Sequence, residues 1–197
     1  MRIGLGFIGA GVSAEPEVIS LIASVGEKCG YYSLWAPEHI VLLDEYAAQY
    51  PYTSDGVMPF ATTAINFMDP FLALTYASAV TKKIRLGTGI CLVPERHPVV
   101  TAKEVASLDK LSNGRFDFGV GIGWMKEEFD ALQIPWPKRA QRTRDYLDAM
   151  TELWTKEESH YTGEFVSFPP VRSYPKPVQL PHPPIIFGGE SKPALRR

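Results

Sequence analysis

The chain has 197 residues, of which 45% are hydrophobic and 21% charged, as in an ordinary globular domain that buries a sizeable core. Its formal net charge of -2 gives no electrostatic reason to expect a nucleic-acid partner or an anionic membrane surface. Uncharged runs fall short of the roughly 18 residues that a membrane span needs, and glycines in residues 3–14 argue against a signal peptide. Cys29 and Cys91 lie in apolar stretches, so we expect buried free thiols, a cytoplasmic location and no metal site.

The chain begins with an apolar run, residues 3–8, which is typical of a buried parallel strand. Gly4, Gly6 and Gly9 have the spacing of a dinucleotide-binding fingerprint. Only three residues precede the first of them, so a barrel strand with small residues for close packing is the favoured interpretation. A helix is expected from about residue 15 to 29, ended by a glycine cap. Its predicted core-facing residues are Val18, Ile22, Val25 and Cys29.

The second predicted strand, residues 31–36, leads directly into Glu38 and His39. Charged and titratable side chains at the carboxyl end of a strand lie where catalytic groups lie in βα architectures. A solvated loop histidine is the alternative. The irregular, aromatic-rich segment at about 41–69 predicts either a lid-like insertion or a loop whose aromatic rings pack against the domain.

The middle of the chain predicts two more strand–helix units. Asp69 caps a helix that runs to about residue 80, and the strand at 84–93 contains Gly87, Thr88, Gly89 and Ile90, a pattern that marks a bulge or a ligand at close range. A helix at about 97–111 follows, with Val100, Val105, Leu108 and Leu111 as its predicted apolar face. The strand at 115–120 then leads into a glycine turn formed by Gly121, Ile122, Gly123 and Trp124.

The last part of the chain predicts a long helix at 138–156, a small hairpin at 161–166 and a proline-rich crossing at about 159–184. The helix carries Leu147, Met150, Leu153 and Trp154 on one face. A short strand at 184–187 precedes a second glycine turn, formed by Gly188, Gly189, Glu190 and Ser191. Alternating strands and helices favour a (β/α) barrel over a doubly wound sheet, although periodicity alone does not separate the two.

The sequence resembles the bacterial luciferase-like superfamily, and within it the oxidoreductases that depend on the deazaflavin coenzyme F-420. The resemblance extends over the whole chain. It is carried by residues 37–40, 50–56, 96–98, 111–116, 119–124, 183–185 and 188–191.

The resemblance implies an α/β fold, a TIM-type (β/α)8 barrel, of which residues 1–197 supply about five of the eight βα units as one incomplete domain. Family members are commonly dimers through helices of the first half, so a homodimer is expected. The chain is interpreted either as a fragment or as a short form that associates through its open edge.

The resemblance also implies a flavin-type ring at the carboxyl ends of the strands and a small-molecule substrate. Residues 87–90, with a cis peptide at Gly89-Ile90, would contact the ring, and residues 121–124 and 188–191 would hold a phosphate through backbone amides. The same glycines could instead merely permit tight turns.

His39 is the expected acid/base residue, and Glu38 is expected to hold its tautomer or tune its pKa. Trp124 stands where the family's sugar-phosphate dehydrogenases have a catalytic glutamate, which disfavours that substrate and makes Trp124 a wall of the pocket. Three hypotheses follow: an F-420-dependent oxidoreductase, an FMN-dependent monooxygenase, and a catalytically inert flavin-binding or dimerising fragment.

Overall fold

The computed structural model describes residues 1–47, 49–59 and 62–189. The helices are α1 (Pro16–Lys28), α2 (Pro70–Ala79), α3 (Pro98–Leu111), α4 (Lys126–Ala131) and α5 (Arg139–Thr155). The strands are β1 (Gly4–Leu5), β2 (Ser33–Ala36), β3 (Arg85–Thr88), β4 (Cys91–Leu92), β5 (Phe116–Gly121), β6 (Ser159–Thr162), β7 (Ser167–Val171) and β8 (Ile185–Phe187). Between β2 and α2, the described residues include neither a helix nor a strand.

The main sheet is parallel and follows chain order. Strand β1 pairs with β2, β2 with β3, both β3 and β4 with β5, and β5 with β8. Because β3 and β4 share one partner, they act as a single strand interrupted at Gly89-Ile90. A doubly wound sheet reverses its strand order at a switch point, whereas this one does not. The predicted barrel-type α/β fold is therefore confirmed, and the sheet forms part of a barrel wall.

The hydrophobic core lies between the helices and the outer face of this wall. Leu34, Leu86, Phe116 and Phe118 on β2, β3 and β5 are fully buried there. The predicted face of α5 is confirmed, because Leu147, Met150, Leu153 and Trp154 are all buried. The antiparallel pair of β6 and β7 confirms the predicted hairpin.

The opposite face of the wall is occupied by the indole ring of Trp35. A methyl group added to Gly87 would lie 2.4 Å from Trp35 Cζ3, and one added to Gly119 would lie 1.9 Å from the Thr88 carbonyl oxygen. Glycines on β3 and β5 thus make room for a large side chain and for close strand contact. Gly4 has the same role, since its added methyl group would lie 2.6 Å from Ser33 Oγ. Close packing, the favoured interpretation of the first glycines, agrees with this contact.

The predicted core faces of two helices are correct only in part. In α1 the buried residues are Ile19, Ala23 and Gly26, while Val25 and Cys29 are exposed. In α3, Val105 and Leu108 are buried as predicted, whereas Val100 and Leu111 are exposed. Ala102 and Ala106 are also buried. Small residues explain both errors. A methyl group added to Gly26 would lie 3.1 Å from Leu5 Cδ1, so α1 packs on the sheet through small residues. A prediction based on large apolar residues alone does not detect such a stripe.

The first predicted strand is also shorter and more exposed than expected. It spans Gly4–Leu5, and Ile3 and Phe7 are 50% and 62% exposed. In the described structure β1 pairs with β2 alone, so its other side lies at the edge of the sheet. No helix in the described residues is both long and apolar enough to cross a membrane.

Candidate active site

A cavity of about 600 Å³ lies at the carboxyl ends of the parallel strands. The segments after β2, β3 and β5, the segment after β8 and the loop between β2 and α2 all contribute to it. Its lining includes Glu38, His39, Gly89, Ile90, Gly121, Ile122, Gly123, Trp124, Arg139, Gly188 and Gly189, together with Phe7, Tyr50, Tyr52, Met58 and Phe67 from loops. Cavities of this size accommodate drug-sized and cofactor-sized ligands.

His39 is held against the carboxylate of Glu128. Nδ1 of His39 lies 2.8 Å from Glu128 Oε2, and Glu128 is 1% exposed. Oε1 of Glu128 accepts hydrogen bonds from the backbone N–H groups of Ile40 (2.7 Å) and Val41 (3.2 Å). A carboxylate at Nδ1 favours the tautomer or ionised form that carries hydrogen there, which leaves Nε2 for a different partner. His39 is thus oriented as an acid/base group in an active site would be.

Glu38 does not have the role predicted for it. Its carboxylate accepts hydrogen bonds from Leu92 N and from Arg96 Nε (2.7 Å). Burial raises the pKa of Glu38, and the neighbouring Arg96 opposes this effect. Glu38 lines the cavity but ties the segment after β2 to β4, so the tautomer of His39 is set by Glu128 and not by Glu38.

The two glycine turns approach each other across Ile90. A methyl group on Gly121 would lie 1.8 Å from Ile90 Cδ1, and one on Gly188 would lie 3.0 Å from Ile90 Cγ2. Gly123 has a φ of +76°, which favours glycine. The peptide bond between Gly89 and Ile90 is cis, as expected. Of the second turn, Gly188 and Gly189 line the cavity, while Glu190 and Ser191 lie outside the described residues.

Gly87 and Thr88 were predicted to contact a cofactor, but neither lines the cavity. Gly87 lies under Trp35, and Thr88 Oγ1 donates a hydrogen bond to the Gly119 carbonyl at 2.6 Å. Both residues are used to pack the barrel wall. The glycine in this strand therefore indicated correctly that another group lies close to the backbone. That group is the Trp35 side chain and not a ligand.

Trp124 forms a wall of the cavity, as predicted. Its ring contacts those of His39, Tyr46 and Tyr50 edge to face, with centroids 6.0, 5.7 and 5.1 Å away. The rings of Phe67 and His39 also meet edge to face, with centroids 5.7 Å apart. The loop between β2 and α2 therefore packs against the barrel and also lines the cavity. That it acts as a lid stays a prediction.

Arg139 is a cavity residue that the sequence analysis missed. It stands at the start of α5, its Nε donates to the Gly123 carbonyl at 3.3 Å, and its guanidinium stacks over the Trp136 ring at 3.6 Å. The stacking brings a positive charge to the first glycine turn, where an anionic ligand group would be stabilised. In the described residues, no group of three or more His, Cys, Asp or Glu side chains could hold a metal ion.

The model of the luciferase-like monooxygenase family matches residues 8–197. The chain belongs to this family. Its relatives include the uncharacterized protein Rv0953c of Mycobacterium tuberculosis, which is 42% identical over 84% of this chain and 58% of its own length. The oxygenase component of the flavin-dependent trigonelline monooxygenase of Acinetobacter baylyi is 32% identical over 86% of this chain and 41% of its own.

A solved structure with the same fold is the coenzyme F-420-dependent tetrahydromethanopterin reductase of Methanopyrus kandleri. It superposes with a TM-score of 0.74 at 22% identity, over 99% of this chain and 52% of that protein. The luciferase-like chain described here thus spans between two fifths and three fifths of the length of these proteins. The family consists of oxidoreductases and monooxygenases. The Acinetobacter relative is named as flavin-dependent, and the Methanopyrus protein of the same fold is named as dependent on coenzyme F-420.

Proposed function

We propose that the protein is an oxidoreductase that transfers a hydride between coenzyme F-420 and a small organic substrate. The observation that carries this proposal is the His39–Glu128 pair at a cavity walled by glycine turns. The pair provides an oriented proton donor or acceptor beside a cavity lining formed by glycines and the side chain of Ile90.

The residues of the cavity fit a flat, anionic cofactor. Gly121 and Gly188 make room for the side chain of Ile90, which fills the space that a methyl group on either glycine would take. This part of the cavity lining is therefore small and apolar, which suits a planar ring. Backbone amides of the turn before α4 and the guanidinium of Arg139 suit a phosphate group. When bound, a deazaflavin supplies a carbon that accepts or gives a hydride.

The residues of this chain then transfer the proton that accompanies the hydride. Oxidation of an alcohol or reduction of a ketone moves one proton at the substrate oxygen, and His39 is the group that takes or gives it. Glu128 stabilises the imidazolium that forms. Trp124, Tyr50 and Tyr52 surround the cavity with apolar ring surface, so a small, largely apolar substrate is favoured.

FMN is the second candidate cofactor, since the trigonelline monooxygenase related to this chain is named as flavin-dependent. In that case the protein is a monooxygenase supplied with reduced flavin. The aromatic loop would then exclude water from the flavin ring. His39 would donate a proton to the oxygenated substrate or accept one from it. The same glycine turns and Arg139 would hold the FMN phosphate.

Anaerobic titration of the purified chain with F-420 and with FMN separates the two candidates. Saturable binding of F-420, followed by absorbance changes when small alcohols are added, is the expected result. Tight binding of FMN without binding of F-420 would overturn the hydride proposal in favour of the monooxygenase. Binding without turnover of any alcohol, ketone or oxygenation substrate would favour an inert fragment.

The role of His39 is tested with a matched pair of variants. His39→Ala is expected to lower turnover by roughly 10²- to 10⁴-fold, the usual contribution of a general acid or base, with little change in cofactor binding. His97→Ala is the control, because His97 precedes α3 and its side chain makes no capping hydrogen bond. Equal activity of the two variants would remove His39 from the mechanism.

A further inference from the structure

Glu95 is a buried carboxyl group that the proposed chemistry does not use. It ends the 3-10 turn Val93–Glu95 after β4 and is 5% exposed. Among the residues that the structure describes, neither of its carboxyl oxygens has a hydrogen-bond partner. Buried side-chain polar groups are nearly always hydrogen-bonded, so a glutamate at this position needs a physical explanation.

The carboxyl group of Glu95 lies behind the glycine turn of the cavity. A methyl group built on Gly123 would stand 2.7 Å from Glu95 Oε1 and 2.6 Å from Phe129 Cε2. Gly123 lines the cavity, and Phe129 follows Glu128 in α4. Glu95 therefore lies beside the segment that presents Glu128 to His39, without itself lining the cavity.

Three charged groups from the surrounding elements act on Glu95. They are Glu128 from α4, Glu38 from the segment after β2, and Arg96 from its own turn. Burial first, and then the charges of Glu128 and Glu38, raise the pKa of Glu95 to about 9, while Arg96 opposes the rise. The guanidinium of Arg96 is bonded to Glu38, Asp69 and Glu104 and makes no hydrogen bond to Glu95.

The two neighbouring carboxyl groups therefore differ in charge. Glu128 contacts three donors, namely His39 and the backbone N–H groups of Ile40 and Val41, and these stabilise a negative charge. Glu95 has none. Since two adjacent buried carboxyl groups do not readily ionise together, the proton remains on the one without donors.

We propose that Glu95 is a positioning residue that acts on His39 through Glu128. As a neutral acid behind the glycine turn, it allows Glu128 to carry the negative charge that holds His39. When Glu95 ionises at alkaline pH, a second negative charge repels Glu128 and disturbs its contact with His39. The inference deepens the proposed function, on which its importance for turnover rests, but the coupling itself is a property of the chain without any cofactor.

The test is an NMR titration of the cofactor-free full chain, labelled with ¹³C in glutamate carboxyl groups and in histidine. The His39 signal is assigned by its loss in His39→Gln. We expect the Glu95 carboxyl carbon to titrate near pH 9, and the His39 signal to shift in the same pH range. Glu95→Gln, a neutral side chain of the same size, is expected to abolish this alkaline shift.

Glu104→Gln is the matched control, because Glu104 also contacts Arg96 (3.2 Å) but lies on α3, away from the glycine turn. It is expected to keep the alkaline shift of His39. A Glu95 carboxyl group that titrates below pH 6, or an alkaline shift that persists in Glu95→Gln, would overturn the inference. If Glu95→Gln does not fold, the wild type still decides, because a His39 signal that stays constant in the pH range where Glu95 titrates contradicts the proposal. A His39 signal that follows the Glu95 titration, in a chain that binds neither cofactor, would overturn the proposed function alone.

Discussion

His39 and Glu128 are separated by 89 positions in the chain, yet they form the contact on which the proposed chemistry depends. The carboxylate has few alternatives, because its other oxygen is occupied by the backbone of residues 40 and 41. Glu128 thus positions both the imidazole and the segment after β2. Replacement of this one side chain should affect catalysis more than folding.

Glu128→Gln keeps the size of the side chain and an oxygen that accepts hydrogen bonds, but it removes the negative charge that stabilises an imidazolium. We expect turnover to fall by roughly 10- to 100-fold, the equivalent of about 1.5–3 kcal/mol for a hydrogen bond to a charged group. Steady-state kinetics with the cofactor identified by titration measures the effect. Asp130→Asn removes a charge from the exposed side of the same helix and should leave turnover unchanged. Equal losses in the two variants would contradict a specific role for Glu128.

The raised pKa of Glu95 also predicts how stability varies with pH. Its folded pKa of about 9 lies above the ordinary value of 4.5, so folding favours the protonated form. The contribution of this group to stability is fully present below about pH 4.5 and is lost as pH rises towards 9, by at most about 1.4 kcal/mol per pH unit. Glu95→Gln should therefore gain stability relative to wild type more at pH 8.5 than at pH 5.5, in urea unfolding. A difference that is the same at both pH values would contradict the prediction.

Some site residues could be predicted from the sequence and others could not. His39, Trp124 and the glycines at 121, 123, 188 and 189 follow predicted strands, and the carboxyl ends of parallel strands converge on one side of a sheet. Glu128 and Arg139 lie on helices beyond the turn, where no local pattern distinguishes them from surface charges. Their roles depend on how α4 and α5 pack, which is a long-range property.

At the scale of elements, Arg96 connects three parts of the fold. Its guanidinium contacts Glu38 after β2, Asp69 at the N-terminus of α2 and Glu104 on α3. Glu38 is buried, so its charge depends on this partner. Arg96→Met should cost about 3–5 kcal/mol of unfolding free energy, because it leaves a buried carboxylate without its cation.

The double variant Arg96→Met with Glu38→Gln should recover part of that loss, since the amide carries no charge. Urea unfolding of the two single variants and the double variant measures the coupling. Additive losses would show that Arg96 stabilises the fold independently of Glu38.

The first glycine turn depends on the contact between Gly121 and Ile90. In Gly121→Ala the new methyl group meets Ile90 Cδ1, which must move into the cavity or to another rotamer. We expect a cost of about 1–3 kcal/mol in unfolding free energy and weaker binding of either cofactor. Gly6→Ala is the control, since no atom of the described residues lies within 4 Å of its added methyl group. Unfolding curves and cofactor titrations of the two variants make the comparison. Equal stability and equal cofactor affinity in the two variants would contradict the proposed role of the glycine turn.

Element boundaries were more predictable than element faces. Asp69 accepts hydrogen bonds from Phe71 N and Leu72 N at the start of α2, and Asn113 and Gly114 have positive φ after α3, as their sequence positions indicate. These signals are local. The buried stripes of α1 and α3 instead depend on Ala and Gly. These small residues are buried because they allow the sheet to pack closely against the helix, which is not a local property of the sequence.

At the scale of the whole molecule, apolar residues at the edges of the wall are partly uncovered. Phe7, Ile186 and Phe187, near the two edge strands β1 and β8, are 62%, 42% and 38% exposed. An apolar run predicts burial on both sides, as in a complete barrel, and the described wall supplies neighbours for one side only. Strand order is thus predictable from the sequence, whereas burial at the edges depends on what lies beside them.

The outer surface provides a second apolar region, on α2. Leu72, Tyr76 and Val80 recur every four residues and are 71%, 47% and 45% exposed. A stripe of this kind suits the homodimer that we propose through helices of the first half of the chain.

Because association stabilises the folded state by mass action, the midpoint of thermal unfolding should rise over an about 100-fold increase in protein concentration. Tyr76→Glu should abolish this dependence by placing a charge in the stripe. Leu111→Glu, an equally non-conservative change at a residue that is 65% exposed on α3, should retain it. Sedimentation equilibrium identifies the species directly. A monomer at all concentrations, with a midpoint independent of concentration, would exclude the dimer and leave the α2 stripe as an ordinary exposed surface.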